Sequence, residues 1–294
     1  PITEGIAPAE YPLNISAGVT DHLVIVSEPR TTPIDLVSES IVVQRRDVFG
    51  NPVSVGNLSV QASVTSLTGR LGISSDAAFD TPNQSLSWGE GESDTLVYLK
   101  DSVAGVVGIT ITDPSGALAS IEEPVLVVDG PNIKIWTGES GAWDDASNWS
   151  PPGVPGPDNA TYINRRGVEV ETSGSISAYS LQVGGTTNAT LRIGDTSAGD
   201  TTIAFGGRMI QRAESLLDLA ELRIETGGLM THDNDAGIHA LVSGDIHVEG
   251  LVDASGLGND SAGQTNMAGG SHGGIGGLSW TGTPAPDSAV HGDL

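Results

Sequence analysis

Side chains able to bind a metal ion lie together in the last quarter of the sequence. Asp233, Asn234 and Asp235 stand in a row, and Gly237 follows two positions later. Calcium is bound in proteins by about six to eight oxygens, often on a turn that glycine permits. Asp233 and Asp235 are therefore candidate calcium ligands, and calcium is the one candidate cofactor. The segment matches neither an EF-hand nor a nonapeptide calcium repeat, so a plain Asp/Asn turn without metal is the alternative.

Three histidines in the same region raise the question of a transition-metal site. His232, His239 and His247 fall within sixteen residues, and imidazole is a common ligand of such metals. A site would need all three side chains on one face. His247 alternates with Ile246 and Val248, which predicts that its ring points outward into solvent.

Residues with the spacing of a catalytic site are scarce. The letters G-x-S-x-G occur at residues 269–273, in a glycine-rich run with neither a strand before it nor a helix after it, so the match is interpreted as chance. Acidic residues are spread over predicted turns and form no distinct pair of the kind that cleaves sugar polymers. No catalytic residue is assigned, and the chain is predicted not to be an enzyme. A β-helix polysaccharide hydrolase or lyase stays as the last of three hypotheses.

Modification of asparagine is a further candidate chemistry. Seven asparagines begin an Asn-X-Ser/Thr triplet, the acceptor pattern for N-glycosylation, and some arise by chance in a chain so rich in Ser and Thr. The seven are Asn14, Asn57, Asn83, Asn148, Asn159, Asn188 and Asn259.

Charge limits the partners of the chain. Its 37 acidic residues against 12 Lys and Arg give a formal net charge of −25. Such a surface repels phosphate backbones and anionic lipid, so nucleic acid is not an expected partner. No apolar run approaches the roughly 18 residues that cross a bilayer, so no membrane insertion is expected within this segment. The expected partners are further copies of the chain, other surface proteins, or glycans.

Short strands must position all of these residues. Runs rich in Val, Ile, Leu and Thr, separated by Gly, Asn, Asp and Ser, predict an all-β fold, and a weak helical period occurs only around residues 209–224. Strands at regular spacing favour a β-sandwich over residues 22–129. Residues 1–21 are predicted to be a linker or the closing strand of a preceding domain, and Tyr11–Ser16 is a candidate strand for pairing with a neighbouring subunit. The sandwich strands are predicted at His22–Ser27, Ser40–Arg46, Asn57–Thr65, Leu71–Ile73, Ser85–Trp88, Thr95–Leu99, Val106–Thr112 and Pro124–Val128.

The sandwich segment resembles a known family. The run VVQRRDVFGNPV, with SVQASVTSLTGRLGISSDAAF and WGEGESDTLVYLKDSVAGVVGITIT after it, resembles the Ig-like repeats of large bacterial surface proteins. Trp88 stands where those repeats have a Pro. The resemblance covers about residues 22–129 and implies a spacer or adhesion module with no catalytic residues to transfer.

The next segment, residues 130–160, is rich in tryptophan. The run KIWTGESGAWDDASNWSPPGVPGPDNATYI resembles an element that introduces a right-handed β-helix in exported bacterial proteins. Trp136, Trp143 and Trp149 are therefore expected to form an N-terminal cap, because large rigid side chains can cover the open end of a solenoid. The alternative is a platform on which these three residues, or Trp280, stack on sugar rings.

Residues 161–294 are predicted to form the β-helix itself. Segments of similar form recur at 179–183, 220–224 and 244–248, with spacings of 41 and 24 residues that indicate one long and one short coil. The glycine-rich end resembles, at residues 253–256, 269–277 and 291–294, a passage of giant bacterial β-helix surface proteins in which the helix continues, so Leu294 is interpreted as a truncation. Because an exported protein needs an export signal and none is present, Pro1 is interpreted as not the natural start.

These patterns together predict an Ig-like β-sandwich followed by a β-solenoid, in a non-catalytic structural or adhesive protein of the extracellular cell surface. The expected role is a stalk or a fibre-forming segment. A glycan-binding module is the second hypothesis, and a β-helix hydrolase or lyase is the third.

Overall fold

A computed structural model of the chain describes residues 18–73, 79, 81–213, 215–233 and 237–254. The described part is all-β: its only helix is a 3-10 turn at Ala146–Asn148. The predicted all-β fold, with a β-sandwich and a β-solenoid, is confirmed. No helix in the described residues is long and apolar enough to cross a bilayer.

The chain divides into two compact units. The first comprises residues 1–27, 39–100 and 108–123, and the second comprises residues 28–38, 101–107 and 124–294. Nine strands build the two antiparallel-rich sheets of the sandwich. They are β1 (His22–Ile25), β2 (Thr31–Pro33), β3 (Ile41–Arg46), β4 (Leu58–Val64), β5 (Arg70–Gly72), β6 (Asn83–Trp88), β7 (Asp94–Lys100), β8 (Gly105–Thr112) and β9 (Ile121–Val128).

The sandwich strands follow the period-2 pattern of their sequences. One sheet has the order β1-β3-β7-β5 and the other the order β2-β9-β8-β4-β6. In β3, Ile41 and Val43 are fully buried while Val42 and Gln44, which alternate with them, are half-buried. Arg45 takes the next inward position, and its buried guanidinium donates to the carbonyl oxygens of Gly56 (2.8 Å) and Glu92 (2.7 Å). The charge is tolerated there because backbone carbonyls satisfy its N–H groups.

The second unit contains a parallel β-solenoid. Its strands are β10 (Lys134–Trp136), β11 (Gly141–Ala142), β12 (Trp149–Ser150), β13 (Ala160–Ile163), β14 (Val168–Glu171), β15 (Ile176–Val183), β16 (Ala189–Ile193), β17 (Thr196–Ile203), β18 (Gly207–Gln211), β19 (Leu217–Ile224), β20 (Leu229–His232), β21 (Ala240–Val242), β22 (Ile246–Val248) and β23 (Leu251–Asp253). One sheet runs β12-β10-β13-β15-β17-β19-β21, with β22 also beside β19, and the other runs β11-β14-β16-β18-β20-β23.

Residues at matching positions stack from coil to coil. Leu181 pairs with Thr201, Thr201 with Leu222, and Leu222 with Ile246. The first three of these side chains are buried, and this inward ladder with its neighbours forms one continuous core. Ala178 and Leu181 are both buried although they are three residues apart, and the pairing of β15 with β17 skips Tyr179 between them.

The register corrects the predicted coil lengths. Successive coils place Leu181, Thr201, Leu222 and Ile246 in register, so the spacings are 20, 21 and 24 residues. The interval of 41 residues is therefore two coils and not one long coil. The additional coil contains β17, whose sequence does not share the form of the other repeats. The weak helical period around residues 209–224 does not correspond to a helix, since β18 and β19 lie in that stretch.

A small apolar cluster joins the end of β9 to the first coils within the second unit. Leu126, Val128, Ala160 and Tyr162 are buried together, and the Tyr162 hydroxyl donates to the carbonyl of Asp129. Burial and the charge of Asp129 raise the pKa of Tyr162. The chain therefore passes from β9 into β10 through packed side chains.

Candidate functional site

The three tryptophans predicted to cap the solenoid meet at the N-terminal end of its core. The Trp136 and Trp149 ring centroids are 5.0 Å apart at 89°, and those of Trp143 and Trp149 are 4.8 Å apart at 71°. Each residue is only 1–2% exposed, and all three belong to the solenoid core. A sugar ring needs an open indole face to stack on, and these three indoles present none.

Local sequence explains how the first coil holds this cluster. Trp136 on β10 pairs with Trp149 on β12 in an antiparallel register. The carbonyl oxygen of Asn148 accepts from Thr137 N at 2.8 Å, and a Cβ on Gly138 would overlap the Asn148 side-chain oxygen. The W-x-G and N-W pieces of the motif therefore depend on each other, because only glycine permits this close approach.

A capping aspartate fixes the 3-10 turn between these strands. Asp145 accepts hydrogen bonds from Ser147 N (2.9 Å) and Ser147 Oγ (2.6 Å). These bonds, above all the one from the Ser147 hydroxyl, lower the pKa of Asp145. Asp144 contacts Ser173 Oγ at 2.7 Å, so both aspartates beside the cap have protein partners.

The candidate calcium ligand Asp233 lies in an ion-paired corner of the solenoid. Its Oδ2 is 3.5 Å from Arg192 Nη1, and its Oδ1 accepts from Ala213 N at 3.2 Å. Asn234 and Asp235 lie outside the described residues. Within residues 18–254, gaps apart, no group of three His, Asp or Glu side chains is arranged to hold a metal.

The structure places the histidines on different elements. His232 ends β20 in the six-stranded sheet, whereas His247 lies on β22 in the other sheet. Both ring nitrogens of His232 are buried and make no hydrogen bond among the described residues. His247 is exposed, and its Nε2 is 2.9 Å from Glu249 Oε1, a contact that lowers the pKa of Glu249. His239 precedes β21 and is exposed.

A set of arginine–carboxylate contacts between coils was not predicted. Arg192 on β16 pairs with Glu169 on β14 as well as with Asp233, and Arg165 Nη2 lies 2.8 Å from Glu139 Oε1. Arg212 Nη2 lies 3.2 Å from Glu171 Oε2. The paired residues lie one or two coils apart. Their separation in the sequence therefore predicts a contact only when the coil length is known.

One shallow depression brings two carboxylates together. A cavity of 240 Å³ between β19 and β22 is lined by Glu221, Arg223, Asp245 and His247, with Leu222 and Ile246. All four polar residues are exposed.

The predicted glycosylation sites differ in accessibility. Asn57, Asn83 and Asn188 are exposed, whereas Asn148 and Asn159 are half-buried. The Asn159 amide nitrogen donates to Asn132 O at 2.7 Å, and the Asn148 amide nitrogen donates to Ala142 O at 3.3 Å. The two remaining acceptors, Asn14 and Asn259, lie outside the described residues, as do the candidate strand at 11–16, Trp280 and the G-x-S-x-G letters at 269–273.

The fold and these side chains define an all-β chain with a sandwich, a tryptophan-sealed solenoid and paired surface charges. No family model and no curated protein matches the sequence. Among solved structures it is similar to a glycosyl hydrolase family 2 member from Bacteroides cellulosilyticus, with 17% identity, a TM-score of 0.29 and coverage of 39% of this chain and 15% of that one. It is also similar to domains 4 and 5 of the S-layer protein SbsC, with 20% identity, a TM-score of 0.26 and coverage of 38% and 53%.

These similarities are limited in extent. The chain spans about half of the S-layer fragment and about a seventh of the hydrolase. At such TM-scores they carry no argument about fold or activity.

Proposed function

We propose that this chain is a non-catalytic structural segment of an extracellular surface protein, serving as a stalk or fibre-forming spacer. The observation that carries the proposal is the burial of Trp136, Trp143 and Trp149 over the end of the solenoid core. The residues with the greatest capacity for ligand contact are thus used for stability.

The surface charges support the same role. Glu139, Glu171 and Asp233 each lie beside an arginine, so these carboxylates take part in ion pairs between coils. The net charge of −25 keeps such a segment soluble and opposes random association. A module of this kind serves as a spacer that separates the segments attached to its two ends.

Incubation with acidic polysaccharides tests the non-catalytic role against a hydrolase or lyase. We expect unchanged viscosity and no release of unsaturated ends. Activity that is abolished by Glu221→Gln or Asp245→Asn, but kept in the matched control Glu249→Gln, would assign chemistry to the depression between β19 and β22 and overturn the proposal.

Titration with a panel of glycans, followed by tryptophan fluorescence, tests the second hypothesis, a glycan-binding module. Because the three cap indoles are buried, we expect tryptophan fluorescence to stay unchanged across a panel of glycans. Saturable quenching by one glycan, retained in Trp280→Phe and in Trp88→Phe, would contradict this expectation and favour a sugar at the cap.

The fibre-forming version of the proposal rests on open sheet edges. Among the described residues, β6 is the last strand of its sheet and pairs only with β4. A sheet edge of this kind offers a row of backbone groups to an added strand. Tyr11–Ser16 is the proposed donor. Negative-stain images should show head-to-tail filaments that disappear when residues 1–17 are removed; dispersed particles from the full chain would exclude this version.

A further inference from the structure

The connection between β9 and β10 contains two residues that can react with each other. Asp129 is followed by Gly130, and no other aspartate or asparagine in the sequence precedes a glycine. Glycine has no side chain to shield its amide nitrogen, so a carboxyl group on the preceding residue can approach that nitrogen closely. Both residues are exposed. Water can therefore reach the pair.

The two reacting groups are already in contact. The Gly130 amide nitrogen lies 2.7 Å from Asp129 Oδ1, to which it donates a hydrogen bond. Because Oδ1 is bonded to the carboxyl carbon, the same contact brings that carbon within reach of the nitrogen. Groups held about 3 Å apart react as if they were at a high local concentration. The Asp129 side chain is exposed, so it has room to rotate until its carboxyl carbon faces the nitrogen.

The fold requires glycine beside this aspartate. Gly130 has φ of 139°, a value that residues with a side chain rarely adopt, and a Cβ there would lie 2.6 Å from Ala160 Cβ. The Asp129 carbonyl oxygen is held in turn by the Tyr162 hydroxyl, which donates to it. A bulkier residue that would shield the amide nitrogen therefore does not fit at position 130.

We infer that Asp129 is a site of spontaneous modification, at which it closes a ring with Gly130 and reopens as isoaspartate. In the first step the Gly130 nitrogen bonds to the Asp129 carboxyl carbon, the nitrogen loses its proton, and a carboxyl oxygen leaves as water. In the second step water adds to one of the two carbonyls of the succinimide ring. Breakage of the bond from nitrogen to the original backbone carbonyl carbon gives isoaspartate, and breakage of the new bond restores aspartate. One water is released and one is consumed, and no other reactant is needed.

The product changes the connection in a defined way. In isoaspartate the main chain runs through the side-chain carbons, so the path from Val128 to Gly130 gains one methylene. The former backbone carbonyl becomes a free carboxylate, and Tyr162 loses the amide oxygen that accepts its hydrogen bond. Val128 and Tyr162 belong to the buried cluster beside this connection, so the lengthened chain lies against packed side chains. The inference does not depend on the proposed function.

Ageing of the full chain in water enriched in oxygen-18 tests the inference, because each cycle of ring closure and hydrolysis leaves one solvent oxygen in the product. After several weeks at neutral pH the protein is digested with trypsin, which separates Asp129 in peptide 101–134 from Asp158 in peptide 135–165. Asp158 is the matched control, since it is also exposed but precedes Asn159. Fragmentation locates the label, and we expect about tenfold more of it or more at Asp129 than at Asp158. Isoaspartate methyltransferase should recognise the same peptide.

Two further measurements separate the reaction from its alternatives. Asp129→Glu keeps the charge but would have to close a larger ring, so the label at position 129 should fall to the level at Asp158. Label at Asp129 that does not exceed the label at Asp158 in the unsubstituted chain overturns the inference. Ageing of the urea-unfolded chain tests the geometry: we expect the folded chain to react at least as fast, and slower reaction in the folded chain contradicts the role of the contact between Gly130 and Asp129.

Discussion

The Trp149 indole donates from Nε1 to the backbone carbonyl oxygen of Trp143 at 2.8 Å while the two rings meet edge to face. The Trp149 side chain thus makes both its hydrogen bond and an aromatic ring contact with the same residue, Trp143. This combination suits a cap, since buried indole N–H groups need a partner.

Replacement of Trp149 tests the importance of that contact. Trp149→Ala leaves a cavity in the first coil, and we expect it to lower the free energy of unfolding of the second unit by about 3–5 kcal/mol in a urea titration. Tyr179→Ala is the matched control, because Tyr179 is 55% exposed; its effect should stay within about 0.5 kcal/mol. Equal small effects of both variants would contradict a structural cap.

Thr201 offers a substitution that should increase stability. Its side chain is 1% exposed in a ladder of apolar residues, and its hydroxyl has no hydrogen-bond partner in the part of the chain that the structure describes. Thr201→Val keeps the shape and removes the unsatisfied oxygen, so we expect a gain of about 1 kcal/mol in thermal or urea unfolding.

Thr196 on the same strand is the control for that gain. Its buried hydroxyl donates to Gly194 O at 3.1 Å, so Thr196→Val should cost about 1 kcal/mol. A loss of stability in both variants would show that the Thr201 hydroxyl is satisfied in solution.

Asp47 should make the sandwich sensitive to strong acid. It accepts hydrogen bonds from Gly18 N, Phe49 N and Asn51 N, and these, with the Gly18 bond the largest cause, lower its pKa from 3.8 to about 2. Because the pKa is lower in the folded state, folding favours the carboxylate. Its contribution is complete above the unfolded value of 3.8 and is lost as the pH falls through about 2.

Carboxyl NMR of Asp47 measures this pKa directly. Asp47→Asn is the control, since an amide has no charge to titrate: the stability difference between the two proteins should be constant above about pH 5 and shrink as the pH falls toward 2. Titration of Asp47 near an ordinary 3.8 would contradict the hydrogen-bonded turn.

The contact between Leu126 on β9 and Gly185 in the solenoid predicts that substitutions at the two positions have non-additive effects on stability. Gly185 has φ of 143°, and a Cβ there would lie 2.9 Å from Leu126 Cδ2. Leu126→Ala should cost about 2–5 kcal/mol, and Gly185→Ala about 1–3 kcal/mol. Since the smaller side chain makes room for the new methyl, the double variant should lose less than the sum by about 1 kcal/mol in thermal denaturation. Strict additivity would show that the two residues do not touch.

Alternation of apolar and polar residues made most of the sandwich predictable. β7 and β8 were predicted to within a residue at each end, because Val97, Ile109 and Ile111 are buried and their neighbours are more exposed. β2 was missed: it has three residues, includes Pro33, and exists through parallel pairing with the distant β9. Local pattern carries no signal for such a strand.

The solenoid was less predictable because its repeat is imperfect. Thr201 stands where neighbouring coils have Leu181 and Leu222, so β17 did not match the other coils. The charge pairs could not be found for the same reason, since the separation of Arg192 from Glu169 and Asp233 is set by coil length. The meeting of the three tryptophans, by contrast, followed from a compact motif within fourteen positions.

The one-to-one register of β15, β17 and β19 has a consequence for how such a protein changes size. Each coil repeats the same backbone pairing, so duplication or loss of one coil alters the span by a single strand spacing of about 4.8 Å. Both terminal layers stay the same in the process. The length of the solenoid can therefore change in equal steps of one coil, and the segments that it connects need not change.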